Sequence, residues 1–286
     1  MKDMQKNDLK DPVDLIDRMK PMEAKRSKAD VWADLEQMMK QTRTTKVRSM
    51  NFSTWSVAAS ISIVVTLSLL ATARFYTITI NCEAGSQKTI TLPDGSSVML
   101  NSASSLSYYP FWWSFDKKAE LNGEAFFEGE HAKNFTITSD KAETTVLGTS
   151  FNIYARDNDY QVTCVTGKVK VLALISKDEV IITPNQMVSL NNSGKLTPNL
   201  NVDAQLAKEW TNNQFIFTQV PLKNVLSEVS RRYGISIEGI ENLNQPYTGS
   251  FVKQDHIEDV LAIICKPFAL EYKKLPSGGF IIEQAP

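Results

Sequence analysis

The sequence predicts a chain in four parts: a short helical segment, one transmembrane helix, an all-β domain, and a small α+β module of βαβ-βαβ type. Three observations carry this. Trp55 to Ala73 is a run of 19 residues without a charge, and as a helix rising ~1.5 Å per residue it is long enough to cross a ~30 Å hydrocarbon core. From Tyr76 to about Leu200 apolar residues alternate with period two, broken by turn signals roughly every 8 to 12 residues. After Asp203 the period lengthens to that of helices, and one pattern occurs twice. The resulting divisions are 1–52 before the span, 53–75 for the span, 76–203 for the all-β domain and 204–286 for the terminal module.

Basic residues beside the span set its direction. Lys40, Arg43, Lys46 and Arg48 precede it with no acid among them, whereas Arg74, Glu83 and Lys88 follow it. The segment before the span is therefore expected in the cytoplasm and the later domains in the periplasm, with a single pass of the inner membrane between them. Ala71-Thr72-Ala73 imitates a signal-peptide cleavage site, but a signal peptide has a short basic leader, and here some fifty residues of mixed charge come first.

Charge divides as +3 for residues 1–49 (12 basic, 9 acidic) and −4 for the remainder (19 basic, 23 acidic). Neither part gathers the basic patch that direct nucleic-acid binding needs. Cys82, Cys164 and Cys265 have no metal-site or CxxC spacing, and an odd number leaves at least one thiol unpaired within the chain. They read as small buried hydrophobes, with a Cys82–Cys164 disulfide as the alternative in an oxidising compartment.

Two short helical patterns precede the span. Asp11-Pro12 starts one, with Val13, Ile16 and Met19 on one face before Pro21. Ser27 with Asp30 forms a capping-box pattern for the other, whose apolar stripe is Val31, Trp32, Leu35, Met38 and Met39. Helices this short are marginal alone in water, and about fifty residues cannot enclose a core. The segment is either a disordered tail or folds against a partner or the membrane face, and the stripe is the candidate partner-binding surface.

In the all-β region Ile90 and Leu92, then Pro93-Asp94-Gly95, then Val98 and Leu100 predict a hairpin over an Asp-Gly turn. Candidate chemistry is sparse. Glu124, Glu128 and Glu130 share strand parity, as the paired carboxylates of a glycosidase would, or form a solvated ladder. Tyr108, Tyr109, Phe111, Trp112, Trp113 and Phe115 could stack sugars, or serve as a core edge or docking patch. His131 and His256 are the only histidines, no nucleophile has a histidine partner nearby, and no Gly-rich phosphate loop occurs. Neither an enzyme nor a cofactor is expected, with a membrane-anchored carbohydrate-binding or hydrolysing β-domain as the alternative reading.

The terminal module repeats itself. Phe215 to Glu238 reads as strand, helix and strand, with Pro221 at the helix start and Gly234 as its C-cap. The second pass begins at Phe251, with Asp255 and Glu258 as a capping box. Counted from Leu226 and from Leu261, apolar residues recur as Val229 and Ile264, Tyr233 and Phe268, Ile235 and Leu270, Ile237 and Tyr272. Two helices on one small sheet are expected, closed by a strand at Phe280-Ile281-Ile282. Modules of this size bind proteins through exposed strand edges, and that last strand is the candidate edge.

Several motifs then resemble, in order, those of the FecR-family transmembrane sigma-factor regulators (anti-sigma factors) of Bacteroidetes-like type. They are Thr91-Leu92-Pro93-Asp94-Gly95-Ser96 with Leu100-Asn101 and Ser105-Leu106; Leu121-Asn122-Gly123-Glu124-Ala125-Phe126-Phe127-Glu128; Val146-Leu147-Gly148-Thr149-Ser150-Phe151-Asn152; Thr166-Gly167-Lys168-Val169; and Thr183-Pro184-Asn185-Gln186. Trp210 through Ile282 is similar to the family's C-terminal module, related to the signalling-type domain of secretins and TonB-dependent transducers. The resemblance implies an all-β FecR domain, an ECF sigma factor bound on the cytoplasmic side through Val31, Trp32, Leu35, Met38 and Met39, and the signalling domain of a TonB-dependent outer-membrane transporter bound on the periplasmic side. It also implies a candidate self-cleavage step at Gly148-Thr149 by an N-to-O acyl shift, as suggested for some siderophore-regulated relatives; a tight turn that needs glycine accounts for the pair equally well. Two departures stand out. Gly129 replaces an apolar strand residue, which predicts a bulged or weak strand there, and the segment before the span lacks a full-length anti-sigma domain.

Overall fold

The computed structural model describes residues 26–40, 52–129, 133–157, 159–191 and 193–285. The expected first helix at Asp11 to Met19, together with Glu130 and His131, lies outside them. The chain forms two units, Met1–Ile63 and Val64–Pro286.

Helix α1, Lys28–Lys40, starts where the capping pattern places it. The Ser27 Oγ accepts from the Ala29 amide at 3.1 Å, and the Asp30 carboxylate accepts from the Ser27 amide at 3.3 Å. A cap of this kind stabilises a helix by about 1 kcal/mol, too little to hold 13 residues alone. None of its residues is buried, and its large apolar side chains are all exposed. Helix α2, Phe52–Phe75, carries the span: Trp55–Phe75 is long and apolar enough to cross a membrane.

Thirteen strands follow as two packed sheets sharing one strand. The first sheet runs in the order β1 (Ile78–Cys82), β4 (Ser104–Tyr108), β5 (Lys118–Glu128), β6 (Lys133–Thr138), β7 (Ala142–Leu147), β10 (Val169–Ala173) and β11 (Glu179–Ile182). The second runs β2 (Lys88–Thr91), β3 (Ser97–Leu100), β5, β8 (Ser150–Arg156), β9 (Asp159–Thr166), β12 (Gln186–Leu190) and β13 (Leu196–Asn199). Pairing is antiparallel except between β5 and β6.

Strand β5 changes sheets in mid-course. Ala119 to Asn122 face β4, whereas Gly123 to Glu128 face β8. The corner is Gly123, at φ +109°, where a Cβ atom would lie 2.4 Å from the Ser104 hydroxyl. No L side chain fits there, so the glycine of the Leu-Asn-Gly-Glu motif is what lets one strand serve both sheets. The core between the sheets holds Val98, Leu106, Phe127, Phe135, Phe151 and Val162 among others, with the Phe127 and Phe151 rings stacked at 4.9 Å. The Asp-Gly hairpin forms as expected: β2 pairs β3 around Gly95 at φ +85°, and the Asp94 carboxylate accepts from the Ser96 amide and from Lys117 Nζ. Strand β5 stops at Glu128, immediately before Gly129. All three cysteines are buried and free, and burial pushes the thiols of Cys164 and Cys265 up to about 11.

A 3-10 helix, Ala204–Asn212, leads into the last region. It lays Ala204 and Trp210 over Phe126 and Val165 on the outer face of the second sheet. Then come β14 (Gln214–Pro221), α3 (Leu222–Tyr233), β15 (Ile237–Glu238), β16 (Pro246–Val252), α4 (Ile257–Cys265), β17 (Leu270–Lys274) and β18 (Phe280–Gln284). The duplicated positions all reach one core, but the strands form two sheets where one was expected. The leading strands β14 and β16 pair with each other, while the trailing strands β15 and β17 flank β18. The leading strands of the repeat therefore pair directly, while its trailing strands are bridged by β18. The Gly234 C-cap forms at φ +67°. The Asp255 and Glu258 box does not, because α4 begins one residue later, with His256 at its N-cap position and no side-chain cap.

Candidate functional site

Polar side chains meet where the terminal region packs on the sandwich. The turn at Gly123 delivers Glu124 into this seam, where it is 7% exposed. Its two carboxylate oxygens accept from Asn101 Nδ2 at 2.7 Å and Asn152 Nδ2 at 2.9 Å. Asn101 Nδ2 also donates to Glu228 of α3 at 3.1 Å, and Asn152 Oδ1 accepts from the Trp210 indole at 3.1 Å. Two asparagines, Asn101 just after β3 and Asn152 on β8, thus join Glu124 to elements of the terminal region. Glu228 accepts twice from Arg231, at 3.1 and 2.9 Å.

Arg156, at the end of β8, supplies the countercharge. Its guanidinium donates to Ser102 O, Ala103 O and Ser104 Oγ, while its Nε lies 4.0 Å from Glu228 and makes no hydrogen bond. Arg232, 1% exposed, donates to Trp210 O and Asn213 Oδ1 with its guanidinium 5.0 Å from the centre of the Phe215 ring. Burial raises the Glu124 carboxyl above its ordinary value, and the Glu228 charge pushes the same way against Arg156 and the two amides. Burial works against the Arg231 charge, yet Glu228 beside it leaves that guanidinium above its ordinary value. The Gly85 amide donates to Arg231 O at 2.8 Å, seating the β1–β2 turn on the end of α3. A cleft of about 400 Å³ opens along the seam between Tyr154, Asp159 and Gln161 on one side and Gln214, Phe217 and Asn224 on the other.

The arrangement ties the terminal region to the sandwich. Glu124 does not stand in a solvated ladder with Glu128: Glu128 is exposed at the strand end, while Glu124 is enclosed because the terminal region covers that face. The aromatic cluster is also divided. Tyr108 and Trp113 are buried in the core, whereas Phe111 and Phe115 are exposed. No group of three metal-ligating side chains converges among the described residues.

The Phe280-Ile281-Ile282 edge requires correction. Strand β18 is the middle strand of its sheet, paired with β15 on one side and β17 on the other, so its backbone is already engaged. A strand that is last in sequence need not be last in its sheet. The outer positions belong to β15 and β17. Gly148 and Thr149 form the tight connection between β7 and β8, with Gly148 at φ +90° and the Thr149 hydroxyl buried without a hydrogen-bond partner. Val31, Trp32, Leu35, Met38 and Met39 all lie exposed on α1.

The residues of the seam are only half legible in the sequence. Asn101, Glu124 and Asn152 sit in the quoted motifs, but Glu124 and Asn152 alternate with the core residues Ala125, Phe151 and Ile153, so they read as ordinary outward-facing polar positions. Arg156, Glu228, Arg231 and Arg232 carry no signal either, because on an amphipathic helix or a strand end a charged residue is ordinary.

Comparison with known proteins agrees with this architecture. The family profile described as FecR protein matches residues 78–170, from the first strand of the sandwich into β10. The one described as FecR, C-terminal, matches residues 214–282, from β14 into β18. Two crystal structures of candidate anti-sigma factors from Parabacteroides distasonis ATCC 8503 superpose with TM-scores of 0.67 and 0.66, both at 27% identity, covering 73% of this chain and 100% of the solved one. No curated protein matches the chain. Two profiles that together take in more than half of the sequence, in the order of the two folded parts that the seam joins, place the chain in the FecR family of anti-sigma factors.

Proposed function

We propose that the chain is a single-pass inner-membrane regulator, N-terminus cytoplasmic, that relays a signal from a TonB-dependent outer-membrane transporter to an ECF sigma factor. The observation that carries this reading is the exposed apolar face of α1, with Trp32 and Leu35 at its centre, on a helix too short to be stable alone. Such a face needs a protein to cover it, and membership in an anti-sigma family makes the sigma factor the partner. The basic flank before Trp55 supports the orientation. On the other side, transporter docking falls to the terminal module, through backbone pairing at a free strand edge, and the buried seam carries the disturbance into the sandwich.

Trp32→Asp with Leu35→Asp is expected to abolish sigma-factor binding while leaving membrane insertion intact. Calorimetry on the detergent-solubilised chain checks this, and an unchanged affinity overturns it. Co-purification from the native membrane of both an ECF sigma factor and a transporter tests the relay as a whole.

A further inference from the structure

The end of α2 is ringed by aromatic side chains from a distant loop. Arg74, in the last turn, lies over the rings of Phe75, Tyr109 and Trp112, at 5.5, 5.5 and 5.3 Å from their centroids. Tyr76 packs on Phe111 at 5.5 Å, and Trp112 on Phe115 at 4.9 Å. Tyr109 to Phe115 connects β4 to β5, so this loop is brought to the helix end by the fold and not by sequence proximity. Trp113 anchors it inward, 3% exposed and packed against Tyr108 and Phe135. Its neighbours point away from the core: Phe111 is 64% and Phe115 79% exposed, as are Phe75 and Tyr76 to similar degrees.

Exposed aromatic rings grouped this densely are unusual on a soluble surface. Their position explains them. They adjoin the last turn of the span, where hydrocarbon gives way to headgroups, which is the depth at which aromatic rings and an arginine guanidinium are both favoured.

We propose that the loop Tyr109–Phe115 is a membrane-contacting foot, which seats the β-sandwich on the lipid surface beside its own span. The occupant is the headgroup and upper acyl region of the bilayer, continuous with the lipid around α2. This rests on reading Trp55–Phe75 as the membrane span. A sandwich fixed to the bilayer at a second point cannot swivel freely about the helix end.

The test places a nitroxide at Phe111→Cys or Phe115→Cys in the full chain, in nanodiscs of phosphatidylethanolamine and phosphatidylglycerol; the three native thiols are buried. Accessibility to oxygen and to a water-soluble nickel chelate reports depth. Labels at Leu67→Cys, within the span, and Ile175→Cys, 80% exposed on the far connection between β10 and β11, give the deep and aqueous limits. Both loop labels are expected to lose most of the nickel accessibility seen at residue 175 and to gain oxygen accessibility. If they match residue 175 while residue 67 is deep, the foot is wrong and the span stands. If residue 67 is itself aqueous, the span reading fails and the foot with it.

Discussion

Glu124 and Asp94 are carboxylates in one domain whose proton affinities move in opposite directions. Burial tends to raise Asp94, but hydrogen bonds from Ser96 and Lys117 hold it below its ordinary 3.8. Its contribution to stability is therefore present above that value and is lost as pH falls through the depressed one. Glu124 is raised above 4.5 by burial and by Glu228, so the folded chain keeps its proton where the unfolded chain gives it up. Stability then declines as pH rises from 4.5 through the native value, by at most about 1.4 kcal/mol per pH unit for one proton. Thermal melting of the chain from Tyr76 onward should show this decline between pH 4.5 and neutrality, and Glu124→Gln should flatten it. A slope that the substitution leaves unchanged would assign the effect elsewhere.

Strand β5 carries the sandwich's corner, and its test is geometric. Gly123→Ala places a methyl group 2.4 Å from the Ser104 hydroxyl at a φ of +109°, and should cost at least ~2 kcal/mol, read as a lower urea midpoint. Gly95→Ala, also left-handed but with nothing within 4 Å, should cost less. In the terminal module β17, the longer of the two outer strands of its sheet, is the edge proposed for docking. Along an antiparallel strand alternate amides face outward, so of Glu271→Pro and Tyr272→Pro one deletes an outward donor and the other an inward one. The outward one should abolish transporter-domain binding with the fold retained by circular dichroism; binding as tight as wild type from both would exclude this edge. Much of this level was legible in the sequence. The Asp-Gly hairpin, the period-two strands, the Gly234 cap and the duplicated helix faces all rest on local spacing. Which strand pairs with which does not, because an edge and a middle strand bury similar side chains. Phe280-Ile281-Ile282 therefore read as a strand correctly and as an edge wrongly.

At the scale of the whole molecule the seam decides whether the sandwich and the terminal region behave as one body. Removing one partner of a buried charged group typically costs about 3–5 kcal/mol. Arg156→Met leaves Glu124 and Glu228 facing each other with less countercharge, and is expected to split a single denaturant transition into two, the terminal region releasing first. A single, merely shifted transition would mean that the hydrophobic cover of Trp210 on Phe126 suffices to couple them. The covering also has a consequence for synthesis. The ribosome finishes β13 before Ala204 exists, and until Trp210 and Glu228 emerge the outer face of the second sheet presents Phe126 and Val165 to water and leaves Asn101 and Asn152 without their partners in the terminal region. The first domain is thus complete in its strands but unfinished in its surface, and a message truncated near residue 203 would yield a product recognisable to proteases as incomplete.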